Sequence, residues 1–170
     1  MKKIKSMIFV CLGNTCRSPA AEGFTRKFAR DAFPPSQFEQ LRIESAGLNH
    51  VFTGAQPQSI KFVKQLEGED ISHHVSRMIT ADMAEKTDLI VVMEAYMKDV
   101  IVANLPAVKN LQSKLFTLKE LCPELHPAGT DIEDPYMMPD ENYLAIIEEI
   151  RKYTRGFVSR WAFESKKTHA

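Results

Sequence analysis

A short polar segment between an apolar run and a helix-like run constrains this chain more than any other feature. The apolar run at residues 7–10 predicts a buried strand, and residues 20–28 place apolar side chains at helical spacing. Between them stands Cys-Leu-Gly-Asn-Thr-Cys-Arg-Ser-Pro, residues 11–19. This order predicts an α/β unit in which Cys11 ends the strand and Pro19 fits the first turn of the helix.

The segment at residues 11–18 has the features of an oxyanion site. Gly13 and Asn14 adopt positive φ readily, so the loop amides can turn inward and form a concave nest. The helix N-terminus adds unpaired N–H groups and a positive dipole, and Arg17 offers a planar fork for two phosphoryl oxygens. The same groups favour the thiolate form of Cys11, which is its nucleophilic form. We therefore predict that residues 11–18 bind phosphate above Cys11.

Strand-like and helix-like segments alternate along the rest of the chain. Further strands are predicted at residues 41–44, 87–93 and 114–116, and helices from the end of the loop to residue 33 and at residues 59–66, 96–105 and 141–161. This order predicts one domain over residues 1–170, an α/β fold similar to a Rossmann fold. Its central parallel sheet would have about four strands, with helices on both faces. Ligands in such folds bind at the carboxyl ends of the strands, where Cys11 is expected.

The composition excludes several classes of protein. The 22 Lys and Arg residues balance the 22 Asp and Glu residues, so nothing predicts binding to nucleic acid or to a membrane. No apolar run is long enough to span a membrane, and the one near the N-terminus is too short for a signal peptide. Three cysteines without CxxC or zinc spacing argue against secretion and a metal site. We expect a cytoplasmic protein, preferably monomeric, with no metal and no cofactor.

A second group of candidate residues stands at 131–136, Asp-Ile-Glu-Asp-Pro-Tyr. When a thiolate displaces an alkoxide or phenoxide, the leaving oxygen needs a proton donor, and the same donor can later activate water. Asp-Pro is a turn signal, so a loop carboxylate is expected here. Asp131, Glu133 and Asp134 are therefore all candidates for the general acid.

The string at residues 11–19, placed directly after the first strand, resembles the phosphate loop of the low-molecular-weight protein tyrosine phosphatase family. The resemblance covers nearly the whole chain. It implies that family's fold and the hydrolysis of phosphotyrosine through a phosphocysteine intermediate, with phosphorylated proteins or peptides as substrates and inorganic phosphate as product. It implies Cys11 as nucleophile, Arg17 as phosphate clamp, and Asp134, in an Asp-Pro-aromatic triplet, as general acid.

The resemblance also implies supporting roles for residues around the phosphate loop, which comprises Cys11, Leu12, Gly13, Asn14, Thr15, Cys16, Arg17 and Ser18. Ser18 would donate a hydrogen bond to the Cys11 sulfur, and Asn14 would hold the turn. Ser45 of a Ser-Ala-Gly string and His74 of a His-Val-Ser-Arg string would support Asn14.

The other two cysteines carry separate expectations. The resemblance implies that Cys16 is a redox partner, pairing with Cys11 under oxidation and protecting it from deeper oxidation. From the sequence alone, Cys16 fits equally well as a small packing residue. Cys122 has no partner that the sequence identifies, and we expect it to be structural.

The substrate walls depart from the resembled family. The aromatic wall after Ser-Ala-Gly falls at Val51 here, flanked by His50 and Phe52, whereas Tyr136 keeps the opposite wall. Met137 stands where a second aromatic residue would follow Tyr136. We therefore predict a shallower slot lined by Tyr136, Val51 and His50.

Two further positions bear on the reaction. Glu94 replaces the Asp that commonly follows Met after the apolar strand. Thr15 stands where many tyrosine-specific relatives have an aliphatic residue and where the protein-arginine phosphatase branch has Thr, so phosphoarginine is the alternative substrate. Thiol-dependent arsenate reductases share this loop but need two more cysteines near mid-chain, and residues 70–100 contain none. A non-catalytic phosphate-binding module is the last alternative, and the presence of Cys11 and Asp134 argues against it.

Overall fold

A four-stranded parallel sheet forms the centre of the molecule. The structure, a computed structural model, describes residues 4–125 and 127–167, so residues 1–3, 126 and 168–170 of the predicted domain lie outside it. The strands are β1 (Ser6–Cys11), β2 (Arg42–Gly47), β3 (Leu89–Val92) and β4 (Leu115–Thr117). All are parallel, in the order β2-β1-β3-β4. The predicted α/β fold with a parallel sheet is confirmed.

Six α-helices surround this sheet in the described part of the chain. They are α1 (Arg17–Ala32), α2 (Pro35–Phe38), α3 (Pro57–Glu67), α4 (Ala81–Glu85), α5 (Tyr96–Asn104) and α6 (Asp140–Lys167). Helix α1 connects β1 to β2 and helix α5 connects β3 to β4, in opposite directions across the sheet. Because such crossovers are right-handed, α1 and α5 lie on opposite faces. None of the described helices combines the length and apolarity that crossing a membrane requires.

The observed elements differ from the predicted ones mainly at their ends. Strand β2 continues three residues beyond the predicted end at 44, because Ser45, Ala46 and Gly47 pair with the last three residues of β1. Helix α6 continues to Lys167, past the predicted end at 161. Helices α2 and α4 are missing from the prediction, since four or five residues are too few to show a helical period.

The core packs the long helices against each other and against the sheet. Helices α1, α3 and α6 contact one another, and β1 is buried over its whole length. The Trp161 ring lies 4.6 Å from the Phe33 ring and 5.8 Å from the Phe157 ring, measured between centroids. Burying each such side chain contributes about 2 kcal/mol.

Candidate active site

Cys11 is the last residue of β1, at the edge of the sheet where the carboxyl ends of β2 and β3 also lie. Its side chain is buried, and its Sγ lies 3.1 Å from Oγ of Ser18 in the first turn of α1. The Ser18 hydroxyl is therefore in position to donate a hydrogen bond to a thiolate. Sequence reasoning placed both residues in the loop, and the structure brings their side chains together.

The loop carbonyls between Cys11 and Arg17 point away from the loop centre. The Leu12 carbonyl accepts from the amides of Leu48 and Asn49, at 2.9 and 2.8 Å. The Thr15 carbonyl accepts from the Gln56 amide at 2.8 Å, and the Cys16 carbonyl accepts from Oγ of Ser59 at 3.1 Å. By contrast, no described backbone or side-chain group accepts a hydrogen bond from the amides of residues 13–16. These unpaired amides are available to an oxyanion, and the nest that they would form stays a prediction.

Asn14 fixes the turn of the loop. It is fully buried, with φ at 55°, a conformation that asparagine tolerates better than most residues. Every polar atom of its side chain and its carbonyl has a partner. Its Nδ2 donates to Oγ of Ser18 and to Oγ of Ser45, both at 2.9 Å, and its Oδ1 accepts from the Arg77 amide at 3.0 Å. The Asn14 carbonyl accepts from Oγ of Ser76 and lies within hydrogen-bond distance of Nε2 of His74, both at 2.8 Å.

The structure therefore places the predicted supporting residues Ser45 and His74 against Asn14. It adds Ser76 and Arg77, which sequence reasoning missed although they stand in the His-Val-Ser-Arg string that identified His74. Behind this network, Oγ of Ser45 donates to Oε2 of Glu22 at 2.7 Å.

Gly47 gives the loop its close approach to β2. A Cβ built at Gly47 would lie 3.0 Å from the Asn14 amide nitrogen and 2.9 Å from the Asn49 carbonyl oxygen, both of them backbone atoms. Real Cβ contacts of this length are rare, so any larger residue would displace the loop.

Arg17, the loop residue that begins α1, is buried, with 1% of its surface exposed, between two carboxylates from distant parts of the chain. Its Nη1 lies 3.2 Å from Oε1 of Glu94, and its Nη2 lies 2.9 Å from Oδ2 of Asp134. Nη1 also donates to the Ile132 carbonyl at 2.7 Å. Its Nε is buried and has no partner among the described residues. Glu94, which departs from the family pattern, thus contacts Arg17, the predicted phosphate clamp, directly.

Only one of the three candidate acids contacts Arg17 among the described residues. Asp134 does so, and its Oδ1 also accepts from the Tyr136 amide at 3.2 Å. Asp131 instead accepts from the Ala95 amide at 2.7 Å, which ties the loop to the end of β3. The geometry favours Asp134 over Asp131 and Glu133 as the acid. No group of three His, Cys, Asp or Glu side chains in the described chain is placed to hold a metal ion.

Two aromatic rings contact each other, one from the segment after β2 and the other from the position two residues after Asp134. The centroids of Phe52 and Tyr136 are 5.8 Å apart, with an interplanar angle of 42°. Sequence reasoning named Val51 and His50 for the wall facing Tyr136 and treated Phe52 as flanking, because the position of a ring within a loop cannot be derived from its sequence. Here Phe52 supplies the ring that contacts Tyr136, and the wall roles of Val51 and His50 stay predictions.

Cys16, a residue of the phosphate loop, contacts a buried polar pair formed by Ser59 and Tyr143. Oγ of Ser59 and the Tyr143 hydroxyl are 2.7 Å apart, and Oγ of Ser59 donates to the Cys16 carbonyl. Burial raises the pKa of the Cys16 thiol. The buried Thr15 places its Oγ1 3.6 Å from the Cys16 sulfur. Sequence reasoning missed Ser59 and Tyr143, which come from α3 and α6 and carry no local signal.

All three cysteines are free thiols. The redox pairing of Cys16 with Cys11 stays a prediction. Cys122 is buried against α6, where its thiol donates to the Tyr153 carbonyl at 3.2 Å. Burial raises the pKa of Cys122 to about 12, so this thiol stays protonated at neutral pH.

The fold and this site define an α/β protein in which one loop at the carboxyl ends of the strands carries a thiol and an arginine, and a distant carboxylate contacts that arginine. The family model described as "Low molecular weight phosphotyrosine protein phosphatase" matches residues 6–167, and the chain belongs to this family.

Individual relatives agree with this assignment. A probable low molecular weight protein-tyrosine-phosphatase of Ralstonia solanacearum, EpsP, is 32% identical over 150 residues, which are 85% of this chain and 90% of the relative. The structure of a low molecular weight protein tyrosine phosphatase from T. tengcongensis has a TM-score of 0.76 at 29% identity, covering 91% of this chain and 98% of that one. The YwlE arginine phosphatase from Geobacillus stearothermophilus has a TM-score of 0.80 at 25% identity, covering 98% of both chains.

Proposed function

We propose that this chain hydrolyses phosphotyrosine in proteins through a phosphocysteine intermediate. The observation that carries the proposal is the meeting of Cys11, Arg17 and Asp134 at one loop, although Asp134 is far from the other two in sequence. A nucleophile, a phosphate clamp and a proton donor are the three groups that this reaction needs.

Phosphate binding is the role of the loop and of Arg17. The unpaired amides and the N-terminus of α1 present partial positive charge, and the buried Arg17 adds a full one. The Nε of Arg17, which lacks a partner in the described chain, can donate to a phosphoryl oxygen. These groups are in place before reaction and stabilise charge in the transition state without reorganisation.

In the first step, the Cys11 thiolate attacks phosphorus, so an S–P bond forms as the P–O bond to the tyrosine breaks. Asp134 in its acid form gives its proton to the leaving phenolate oxygen, and the dephosphorylated tyrosine departs. Because Asp134 contacts Arg17, which holds the phosphate, the proton is delivered close to the bond that breaks.

In the second step, the Asp134 carboxylate takes a proton from water while the water oxygen attacks phosphorus. The S–P bond breaks, inorganic phosphate forms and Cys11 leaves as a thiolate. Oγ of Ser18, 3.1 Å from the sulfur, donates a hydrogen bond that stabilises this leaving thiolate.

The aromatic pair of Phe52 and Tyr136 favours an aryl ester as the substrate. A phosphotyrosine ring that reaches the loop passes beside Phe52 and Tyr136, and aromatic contacts of this kind contribute about 1 kcal/mol beyond the buried area. A guanidinium group has no comparable hydrophobic surface.

Phosphoarginine is the second candidate substrate, and Thr15 is the observation that favours it. Its hydroxyl is buried within the phosphate loop, where it adds a polar group that an aliphatic residue would not. Matched phosphotyrosine and phosphoarginine peptides, assayed side by side without metal, decide between the two. Cys11→Ser is the blank, and Thr15→Val is the variant that should change the ratio only if phosphoarginine is the substrate.

A strong preference for phosphotyrosine supports the proposal. A preference for phosphoarginine that Thr15→Val reverses would replace it, and activity retained by Cys11→Ser would contradict the nucleophile. Binding of inorganic phosphate should survive in Cys11→Ser, because the amides and Arg17 remain.

We also infer that the protein works in the cytoplasm as a monomer. Three free thiols, one of them the proposed nucleophile, are maintained most readily in a reducing compartment. The balance of acidic and basic residues offers no field for nucleic acid or anionic membranes. Sedimentation at micromolar concentration and recovery of reduced Cys11 from cell extracts test these two statements.

A further inference from the structure

Met137 occupies a backbone conformation that suits glycine. Its φ is 63°, and the Met138 amide donates to the Pro135 carbonyl at 3.0 Å, which closes a turn with Met137 as its third residue. A turn with positive φ only at this position is of type II, where glycine is preferred. The other described non-glycine residues with positive φ are Asn14 and Asn110, which belong to the residue type that best tolerates it.

Nothing in the packing of Met137 explains this choice. Its side chain is 84% exposed, so it fills no cavity in the core. Met137 thus combines a strained backbone with an exposed apolar side chain, three residues after the proposed general acid. Strain of this kind is often retained for function, which points to a functional role of the Met137 side chain.

Met137 belongs to a set of exposed apolar residues from the phosphate loop and from the two segments that carry the aromatic pair, and we call this set the apolar rim. This rim consists of Leu12, Val51, Phe52, Tyr136 and Met137, all of which are exposed. Leu12 belongs to the loop itself, Tyr136 follows the Asp134 that contacts Arg17, and the Phe52 ring contacts the Tyr136 ring. Chain neighbourhood and the ring contact thus connect the rim residues to the proposed catalytic site.

The rim carries no formal charge. Residues 50–52 and 135–139 contain no Lys, Arg, Asp or Glu, whereas Glu133 and Asp134 lie directly beside them. A polypeptide with acidic residues next to its phosphorylated residue would meet these carboxylates, and one with apolar residues would bury their surface on the rim.

We propose that Met137 and the apolar rim bind the residues flanking the phosphorylated residue of a protein substrate, and that they select apolar flanks over acidic ones. This inference rests on the proposed phosphatase function, because a phosphorylated side chain bound at residues 11–18 brings its own neighbours across the rim. The strained turn keeps a flexible, polarisable side chain in contact with them, and methionine adapts to varied apolar partners.

The test compares phosphotyrosine peptides that differ only in the residues flanking the phosphotyrosine, which are Leu, Ser or Glu, with phenyl phosphate as the substrate that has no flanks. For the wild-type protein, kcat/KM should be about fivefold higher with Leu than with Ser flanks, mainly through KM, and lowest with Glu. Equal rates for all three peptides would overturn the inference.

Three variants of Met137 separate its side chain from its backbone strain. Met137→Ala and Met137→Gly should both lose the Leu preference, measured as the ratio of peptide to phenyl phosphate kcat/KM, while Met137→Leu should retain it. Only Met137→Gly should also raise the melting temperature, because glycine relieves the positive φ. A Leu preference that survives in Met137→Ala would show that the side chain has no such role.

Asn110→Gly is the matched control, since it changes another residue with positive φ. Asn110 lies in the loop before β4, at the amino ends of the strands, whereas the phosphate loop lies at their carboxyl ends. It should leave the peptide preference unchanged. A dimer in sedimentation that Met137→Ala dissociates, with no flank preference, would assign the rim to a second copy of the chain instead. Failure of the wild type to hydrolyse even phenyl phosphate would contradict the proposed function, whereas hydrolysis without flank preference overturns this inference alone.

Discussion

The Asp134 carboxylate lies 2.9 Å from the Arg17 guanidinium, so the proposed general acid and the proposed phosphate clamp contact each other directly. Two residues 117 positions apart in sequence are thus brought into direct contact. The pair locates the acid and also gives the buried Arg17 part of its compensating charge, so changes at Asp134 have consequences for both groups.

Asp134→Asn should slow the first chemical step in proportion to how poor the leaving group is. For phenyl phosphate we expect kcat/KM, which reports the steps up to departure of the leaving group, to fall by about a hundredfold to a thousandfold, since the phenolate must leave without a proton. For a dinitrophenyl phosphate the fall in kcat/KM should be small, because that leaving group needs no proton. The measurement is kcat/KM across a series of aryl phosphates, and an equal loss for every member would contradict the acid role.

Glu94→Ala should weaken substrate binding by misplacing Arg17. The arginine would keep only one carboxylate partner within the buried site, so kcat/KM should fall about tenfold. Glu94→Gln retains an oxygen that accepts from Nη1 and should stay within about threefold of the wild type. Steady-state kinetics and the inhibition constant of inorganic phosphate check this. Wild-type values for Glu94→Ala would show that Glu94 does not position the clamp.

Asn14→Ala should destabilise the protein and distort the phosphate loop. The change removes three side-chain hydrogen bonds, two of them buried, and places alanine at positive φ, and the free energy of unfolding should fall by about 3 kcal/mol. Urea denaturation measures this fall. Asn110→Ala, at nearly the same φ, is the control for the cost of the backbone conformation alone. Similar losses in the two variants would mean that the side-chain bonds of Asn14 contribute little.

Ser59 and Tyr143 should act as a pair that supports the phosphate loop. The hydroxyl of Ser59 donates to the Cys16 carbonyl, so at 2.7 Å it accepts from the Tyr143 hydroxyl. Ser59→Ala and Tyr143→Phe should therefore be non-additive, with a coupling energy of about 1 kcal/mol in a double-mutant cycle of unfolding free energies. Full additivity would show that the two hydroxyls do not depend on each other.

Cys122 should make the protein less stable in alkali. Its pKa is about 12 in the folded protein against 9.0 ordinarily, so between these values the folded state holds a proton that the unfolded state has lost. Below pH 9 the thiol is protonated in both states and the free energy of unfolding does not depend on it. Between pH 9 and about pH 12 the free energy of unfolding falls by about 1.4 kcal/mol per pH unit. Relative to Cys122→Ala, the wild type should lose stability over this range in urea titrations. Parallel pH profiles for the two proteins would contradict the assignment.

The phosphate loop could be predicted from sequence because its parts are contiguous. Cys11, Asn14, Arg17 and Ser18 lie within eight residues, and the strand before them and the helix after them fix which way the loop faces. The alternation of strands and helices defined the parallel sheet for a similar reason, since each element carries its own period. Asp134 was found through a local turn signal and the family resemblance together.

The tertiary structure alone decided which distant side chains complete the site. It placed Glu94 on Arg17, Phe52 against Tyr136, and the Ser59–Tyr143 pair against Cys16. No local sequence pattern predicts these contacts, because each joins elements that are brought together only when helices and strands pack. The sequence by itself determined the loop and the sheet that holds it, because their interactions are local or periodic. The surroundings of the loop depend on long-range packing, which only the folded chain defines.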